Sequence, residues 1–103
     1  MLRTKVNDHI IKIRFSYQYT TNTPDNKFKN APIVTIASAY NNNEILIGKG
    51  VAICSIKEKI CSKKIGRKIA LTRLIKFLYP TNKDNRSIIW KAYFGYIERG
   101  IRL

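Results

Sequence analysis

The residue types best suited to binding a ligand are concentrated in one basic stretch, residues 61–77, which reads CSKKIGRKIALTRLIKF. Among residues 63–70 four are cationic and none is acidic: Lys63, Lys64, Arg67 and Lys68. Arginine offers a planar fork of donors that binds phosphate oxygens through two hydrogen bonds at once. Arg67 and Arg73, six residues apart beside Gly66 and Ala70, are therefore the main candidate phosphate ligands.

The same stretch predicts a helix from residue 63 to about residue 79. Ser62 is a suitable N-cap, and Pro80 prevents the helix from continuing. The free N–H groups of the first turn and the positive end of the helix dipole favour an anion near Lys63, Lys64 and Lys68. The alternative for each lysine is a solvated position at the rim of the protein.

The predicted helix is apolar on two sides. The residues on one arc are expected to face a sheet: Ala70, Leu71, Leu74, Phe77 and Leu78. Ile65 and Ile69 lie nearly opposite and require the second helix or another subunit, so we expect a homo-oligomer. Glycine weakens a helix, and Gly66 therefore indicates close approach of another helix or of a ligand.

Further candidates for ligand contacts follow this helix. Tyr79 is expected to expose its ring beside a polar loop, and Phe77 is the other candidate for stacking on a base. Asn82 and Asn85 are candidates for reading a polar edge of a base or ribose, with capping of the second helix as the alternative for Asn85. Two more guanidinium groups come from Arg99 and Arg102.

Hydrophobic periodicity predicts strands over about 9–20, 33–40 and 45–56, and helices over about 63–79 and 85–99. The third strand is expected to place Ile45, Ile47, Val51 and Ile53 on one face. Gly100 is placed where a left-handed C-terminal cap would end the second helix. These elements predict a single α+β domain over residues 1–103, an antiparallel sheet of about three to five strands followed by two C-terminal helices.

Composition limits the possible functions of the 103 residues. Twenty Lys and Arg against six Asp and Glu give a net charge of +14, which attracts nucleic acid, nucleotides, anionic lipid or an acidic partner. Cys54, Cys61 and His9 do not form a zinc set, so we expect reduced buried thiols, no metal and no cofactor. Catalytic constellations are missing, so a binding protein is expected, not an enzyme. No apolar run approaches the ~20 residues of a membrane span, so a cytoplasmic protein without membrane contact is expected.

Residues 47–78 also resemble a pattern found in small phage proteins: a strand ending in GxAxCS, a charged turn, and a helix with KKxGRxIAxxR. Together with a sheet followed by two helices, this pattern looks most like the first Thoeris anti-defence family. The motif covers about a third of the chain and matches directly at Gly66, Arg67, Ala70 and Arg73. Cys61 is an extra residue in the turn relative to that pattern.

The resemblance implies a non-enzymatic, oligomeric viral sponge acting in the host cytoplasm. Such a protein sequesters cyclic ADP-ribose-type signals and, in some members, cyclic oligonucleotides. The family pocket implies an aromatic ring on the adenine, an amide, and arginines on the phosphates. The residues that would take these roles here are Arg67, Arg73, Arg99, Arg102, Tyr79 or Phe77, and Asn82 or Asn85.

Two other functions fit the same composition. One is a small nucleic-acid-binding protein, with the basic helix contacting the backbone and aromatic residues of the sheet stacking on bases. The other is a phage inhibitor that docks its positive face on an acidic surface of a host enzyme. A dependence of binding on salt separates a polymer from a small ligand with two phosphates.

Overall fold

The computed structural model describes residues 1–19, 33–54 and 62–103. Its elements are β1 Leu2–Val6, β2 His9–Gln18, β3 Val34–Tyr40, β4 Leu46–Ile53, α1 Lys63–Leu78 and α2 Lys83–Glu98. The four strands pair in chain order, each antiparallel to its neighbour. The fold is therefore α+β, an antiparallel sheet followed by two C-terminal helices, as the sequence predicts.

The first hairpin is the element that the sequence did not reveal. β1 pairs with β2 across a two-residue turn, in which Asn7 and Asp8 have φ angles of 50° and 65°. Positive φ at both central residues is the geometry of a type I′ turn, whose usual signal is a glycine at the second position. Here an aspartate takes that position, so the hairpin lacks its common sequence mark.

Other boundaries differ from the prediction by a few residues. The predicted strand positions 20, 55 and 56 lie outside the described residues. α2 begins two residues earlier than expected because Asn82 caps it, its side-chain oxygen accepting the Asn85 N–H at 3.0 Å. Ser62 caps α1 as predicted, accepting the Ile65 N–H at 3.1 Å.

The sheet buries one face against the helices. β2 buries Ile11, Ile13 and Phe15 on that face and turns the intervening Lys12 and Arg14 away from it, which is the alternation of a half-buried strand. Most of the predicted apolar face of β4 points away from the helices: Val51, Ile53 and the preceding Ile45 are exposed, and Gly50 and Ala52 are buried instead. Ile47 alone of the predicted four packs against the core.

The reason for this reversal is the close approach of α1 to the sheet. A Cβ atom built on Gly50 would overlap the Ala70 carbonyl oxygen and the Leu74 nitrogen. One on Gly66 would lie 2.5 Å from Oγ1 of Thr35 in β3. The glycine in the helix is therefore explained by contact with the sheet, and large side chains on β4 can point only away from α1.

Most of the predicted sheet-facing arc of α1 is confirmed, since Ala70, Leu71 and Leu74 are buried. Phe77 is the exception: it lies beside Gly48 at the sheet edge and is 66% exposed, while Ile75 is buried in its place. The helix turns Ile75 towards α2, and Phe77 falls outside the covered surface.

α2 packs on β1 and ends in the predicted glycine cap. Gly100 has φ 70°, its N–H donates to Ile97 O, and the Ile101 N–H donates to Tyr96 O. This pair of hydrogen bonds is a Schellman motif. The turn directs residues 101–103 back to the sheet, where the Tyr17 hydroxyl donates to Leu103 O at 2.7 Å.

The expectation of reduced buried thiols is wrong for Cys54, which is disulfide-bonded and half-buried. Cys61 lies outside the described residues. Within the three described segments, no helix is long and apolar enough to cross a membrane.

Substitution of Gly50 by alanine tests the contact between α1 and β4. We expect Gly50→Ala to lower the free energy of unfolding by about 2 kcal/mol or more, because the new methyl group meets helix backbone that cannot move aside. Gly95→Ala is the matched control. Its Cβ would meet only Nη2 of Arg99, at 3.9 Å, and we expect stabilisation by about 0.5–1 kcal/mol. Urea denaturation measures both, and equal values for the two variants would contradict the proposed contact.

Candidate functional site

A basic groove lies between the N-terminal half of α1 and the C-terminal half of α2. α1 packs on β3 and β4 whereas α2 packs on β1, so the surface of β2 lies below the space between the helices. Two cavities that share Arg67 and Ile97 form the groove. The groove thus arises because the helices cover opposite sides of the sheet.

The first cavity, here called the tail lobe, has a volume of about 370 Å³. Besides the shared residues, it is lined by Lys63, Ile101, Arg102 and Leu103. The second, the helix lobe, has a volume of about 250 Å³ and is lined by Lys64, Lys68, Tyr93 and Phe94. Each lobe combines cations with apolar side chains, which is the composition expected where a ligand carries both a phosphate and a ring.

Arg67 lies at the junction of the two lobes and is held by two tyrosines. Its Nε donates to the Tyr93 hydroxyl at 3.4 Å, and its side chain also hydrogen-bonds to that of Tyr17. Burial of the guanidinium lowers the pKa of Arg67, but the hydrogen bonds to Tyr93 and Tyr17 raise it by more. The net pKa lies above the ordinary value, so the group stays cationic.

Among the described residues, no Asp or Glu side chain lines either lobe. The ion pairs among the described residues are Lys5–Asp8 and Lys12–Glu44, and both belong to the sheet. The partners of Arg67 are neutral phenols, which orient the guanidinium without neutralising it. The groove is therefore a concave positive surface whose charge is available to an anion.

Two of the lysines are also held at the groove by aromatic rings. Nζ of Lys63 lies 4.4 Å from the centroid of the Tyr17 ring, and Nζ of Lys68 lies 5.9 Å from that of Phe94. Cation–π contacts of this kind contribute about 0.5–1 kcal/mol at exposed sites. They restrict the ammonium groups to the walls of the groove.

The structure brings together part of the predicted site. The residues that meet in the groove are Lys63, Lys64, Arg67, Lys68 and Arg102. Arg73 does not join them, because it donates to Val51 O at the edge of β4. Arg99 lies over the ring of Tyr96, with 5.0 Å between Cζ and the ring centroid, and donates to Gly95 O at 3.1 Å.

The remaining predicted residues lie at the other end of α1. Tyr79 is half-buried against the core rather than exposed, and burial raises the pKa of its hydroxyl. Asn82 caps α2 and Asn85 is buried, so the capping role falls to Asn82. From Arg67 to Tyr79 the helix rises by about 18 Å. Within one chain, a small ligand on Arg67 therefore does not reach these residues or Phe77.

The predicted site residues do not include four residues of the groove: Tyr17, Tyr93, Phe94 and Ile97. Tyr17 was recognisable as facing the helices from the alternation of β2. That it would hydrogen-bond to Arg67 depends on how α1 crosses the sheet, which is set by the contacts at Gly50 and Gly66. Comparison with protein-family models, with curated proteins and with solved structures found no match to this chain.

Tyr17 provides a test of the groove's construction. Its hydroxyl joins Arg67 to residue 103, so we expect Tyr17→Phe to lower the free energy of unfolding by about 1 kcal/mol at pH 8. Burial raises the pKa of Tyr17 above 10.0, so the folded state favours the neutral phenol. The resulting stabilisation is present below pH 10 and is lost as pH rises through the folded pKa.

The wild type is therefore expected to lose its advantage over Tyr17→Phe above pH 10. Urea denaturation measures the free energy of unfolding of the wild type and of Tyr17→Phe at pH 8 and at pH 11. The difference between the two proteins at each pH is the quantity to compare. A difference that stays constant across this range would show that Tyr17 is not held as a neutral donor.

Proposed function

We propose that this protein binds and sequesters a small, phosphate-containing cyclic nucleotide in the basic groove, without catalysing a reaction on it. The observation that carries the proposal is Arg67, a half-buried guanidinium held by two neutral tyrosines at the junction of two cavities. A guanidinium fixed in this way loses little conformational entropy when it binds a phosphate, which favours tight binding.

The two lobes suit different parts of such a ligand. Lys63 and Arg102 in the tail lobe supply charge for phosphate oxygens next to Arg67. Phe94 and Ile97 give the helix lobe an apolar wall on which a base can pack, with Lys64 and Lys68 at its side. Sequestration requires only such preorganised contacts and no general acid or base.

The resemblance of residues 47–78 to the first Thoeris anti-defence family favours a ligand of the cyclic ADP-ribose type. In this proposal the protein counters host anti-phage defence by removing the signal in the host cytoplasm. Disulfides are rare in such a reducing compartment. Binding should therefore be measured with and without a reductant. Cys54 is not among the groove residues, so the proposal requires that the protein binds the ligand in both conditions.

Thermal shift assays on cyclic ADP-ribose isomers, cyclic di- and trinucleotides, and short DNA test the ligand class. A ligand that binds the folded state raises the melting temperature. We expect a shift with one small nucleotide that persists at high salt, since a ligand with two phosphates releases few counterions. Shifts seen only with DNA and lost at high salt would contradict the proposal.

Arg67→Ala is expected to abolish that shift, because it removes the guanidinium shared by both lobes. Arg73→Ala is the matched control: it removes an arginine of the same helix and the same net charge, but its guanidinium contacts Val51 outside the groove. Loss of binding in both variants to the same extent would indicate that charge, not the groove, determines affinity.

Assembly into a homo-oligomer is also part of the proposal. Ile65 and Ile69 are 48% and 40% exposed on the outer side of α1, where no described element covers them. We expect a mass above that of the monomer in light scattering, and a return to the monomer mass in Ile65→Glu combined with Ile69→Glu. Ile45→Glu, at an exposed isoleucine next to β4, is the control that should leave the assembly intact. A monomeric wild type would contradict this part of the proposal.

A further inference from the structure

A second positive surface lies on the face of the sheet away from the helices, here called the outer face. In β2, Lys12, Arg14 and Ser16 alternate with the buried Ile11, Ile13 and Phe15 and therefore point to this side. No described helix packs on it. The strand register places five cations on this face: Arg3, Lys5, Lys12, Arg14 and Lys49. It also places exposed apolar side chains there: Ile10, Leu46, Val51 and Ile53.

The pairing of strands brings these cations together. Arg3 lies directly opposite Lys12 in the neighbouring strand, and like charges in that position destabilise a sheet. Arg14 and Lys49 flank Ser38 in a second row across β2, β3 and β4. Neighbouring strands are about 4.8 Å apart, so Arg14 and Lys49 have their Cα atoms about 10 Å apart.

Ser38 lies at the centre of this row and has little exposed surface. Ser38 is only 5% exposed although it points to a side that no described helix covers. Arg14 and Lys49 are its cross-strand neighbours on that side. Both of these side chains are exposed, as expected where the charged ends lie in solvent. The row therefore presents two adjacent cations at one level of the sheet.

The outer face already holds one oxyanion, which belongs to the protein itself. The carboxylate of Glu44 accepts a hydrogen bond from Nζ of Lys12 at 2.7 Å, while the side chain of Lys12 is only 14% exposed. Lys12 chiefly, with Arg3 and Arg14 adding to the effect, lowers the pKa of Glu44. Glu44 has φ 65°, a left-handed conformation that costs a non-glycine residue energy. In this conformation the carboxylate of Glu44 lies among the cations of Lys12, Arg3 and Arg14.

We propose that the outer face binds the phosphodiester backbone of single-stranded nucleic acid, and that Glu44 occupies one phosphate position when no nucleic acid is bound. Arg3, Arg14 and Lys49 have no carboxylate partner among the described residues and supply the other contacts. Tyr40, half-buried on the same face opposite Lys12, offers a ring on which an unpaired base can stack. An array of cations on an open sheet face fits a polymer, whereas the concave groove fits a small ligand.

This proposal assigns nucleic-acid binding to other residues than the sequence suggested. Tyr17 does not contribute to this stacking surface, because it faces the helices and participates in the groove. The basic helix is likewise turned towards the groove and not towards the outer face. Binding of a polymer would therefore use residues of β1, β2 and β4 that the sequence did not single out.

Fluorescence anisotropy with a labelled single-stranded DNA of mixed sequence, over a range of salt concentrations, tests the inference. Arg14→Gln combined with Lys49→Gln removes two phosphate contacts. We expect the slope of log K against log salt to become shallower by about 1.4 and the affinity at low salt to fall about tenfold. Arg67→Ala should leave DNA binding unchanged. The double variant should still bind the small nucleotide in the groove. The two proposals therefore fail or hold independently of each other.

Glu44→Gln provides the opposite change. We expect it to raise DNA affinity several-fold, because the internal competitor is removed. Glu98→Gln changes the net charge equally at an exposed position near the end of α2 and should have a smaller effect. Melting curves check that each variant is folded. Equal effects of the two glutamate variants, an unchanged salt slope, or binding to phosphatidylserine vesicles but not to DNA would overturn the inference.

Discussion

At Gly50 the backbone of α1 lies on the backbone of β4 with no side chain between them, and at Gly66 the backbone of α1 lies against the side chain of Thr35 in β3. These two contacts fix the distance of the helix from the sheet and its rotation about its own axis. Because α1 has buried side chains on its sheet and α2 sides, Arg67 and Lys68 are turned towards the space between the helices. A helix held further from the sheet by larger side chains would be free to rotate, and the groove would lose its shared arginine.

The distribution of acidic residues explains why a net charge of +14 gives two separate positive surfaces. On the sheet, the carboxylates of Asp8 and Glu44 pair with lysines. In the groove, tyrosine hydroxyls take the place of carboxylates and leave the guanidinium charge intact. The two surfaces differ in the groups that hold their cations. A phenol orients a cation and leaves its charge in place, whereas a carboxylate orients the cation and also neutralises it.

Much of the fold follows from local patterns in the sequence. The alternation in β2, the Ser62 cap and the Gly100 cap are each determined by neighbouring residues, and the structure confirms them. Which face of β4 is buried was not predictable in this way, because its small residues are required by contact with α1, a helix more than ten positions away in the sequence. The site divides similarly: the basic helix was recognisable by charge, but Tyr93, Phe94 and Ile97 join it only through the packing of α2 on β1.

The Schellman turn at Gly100 makes one backbone torsion angle a control on the size of the groove. With φ at 70°, the chain reverses and residues 101–103 become a wall of the tail lobe, tied to Tyr17. An L-residue with a side chain resists that angle, and the same three residues would then leave along the helix axis. The larger lobe would open to solvent without any change in the arginine or lysines that line it. A position that carries no functional group of its own thus sets how far the tail lobe is closed off from solvent.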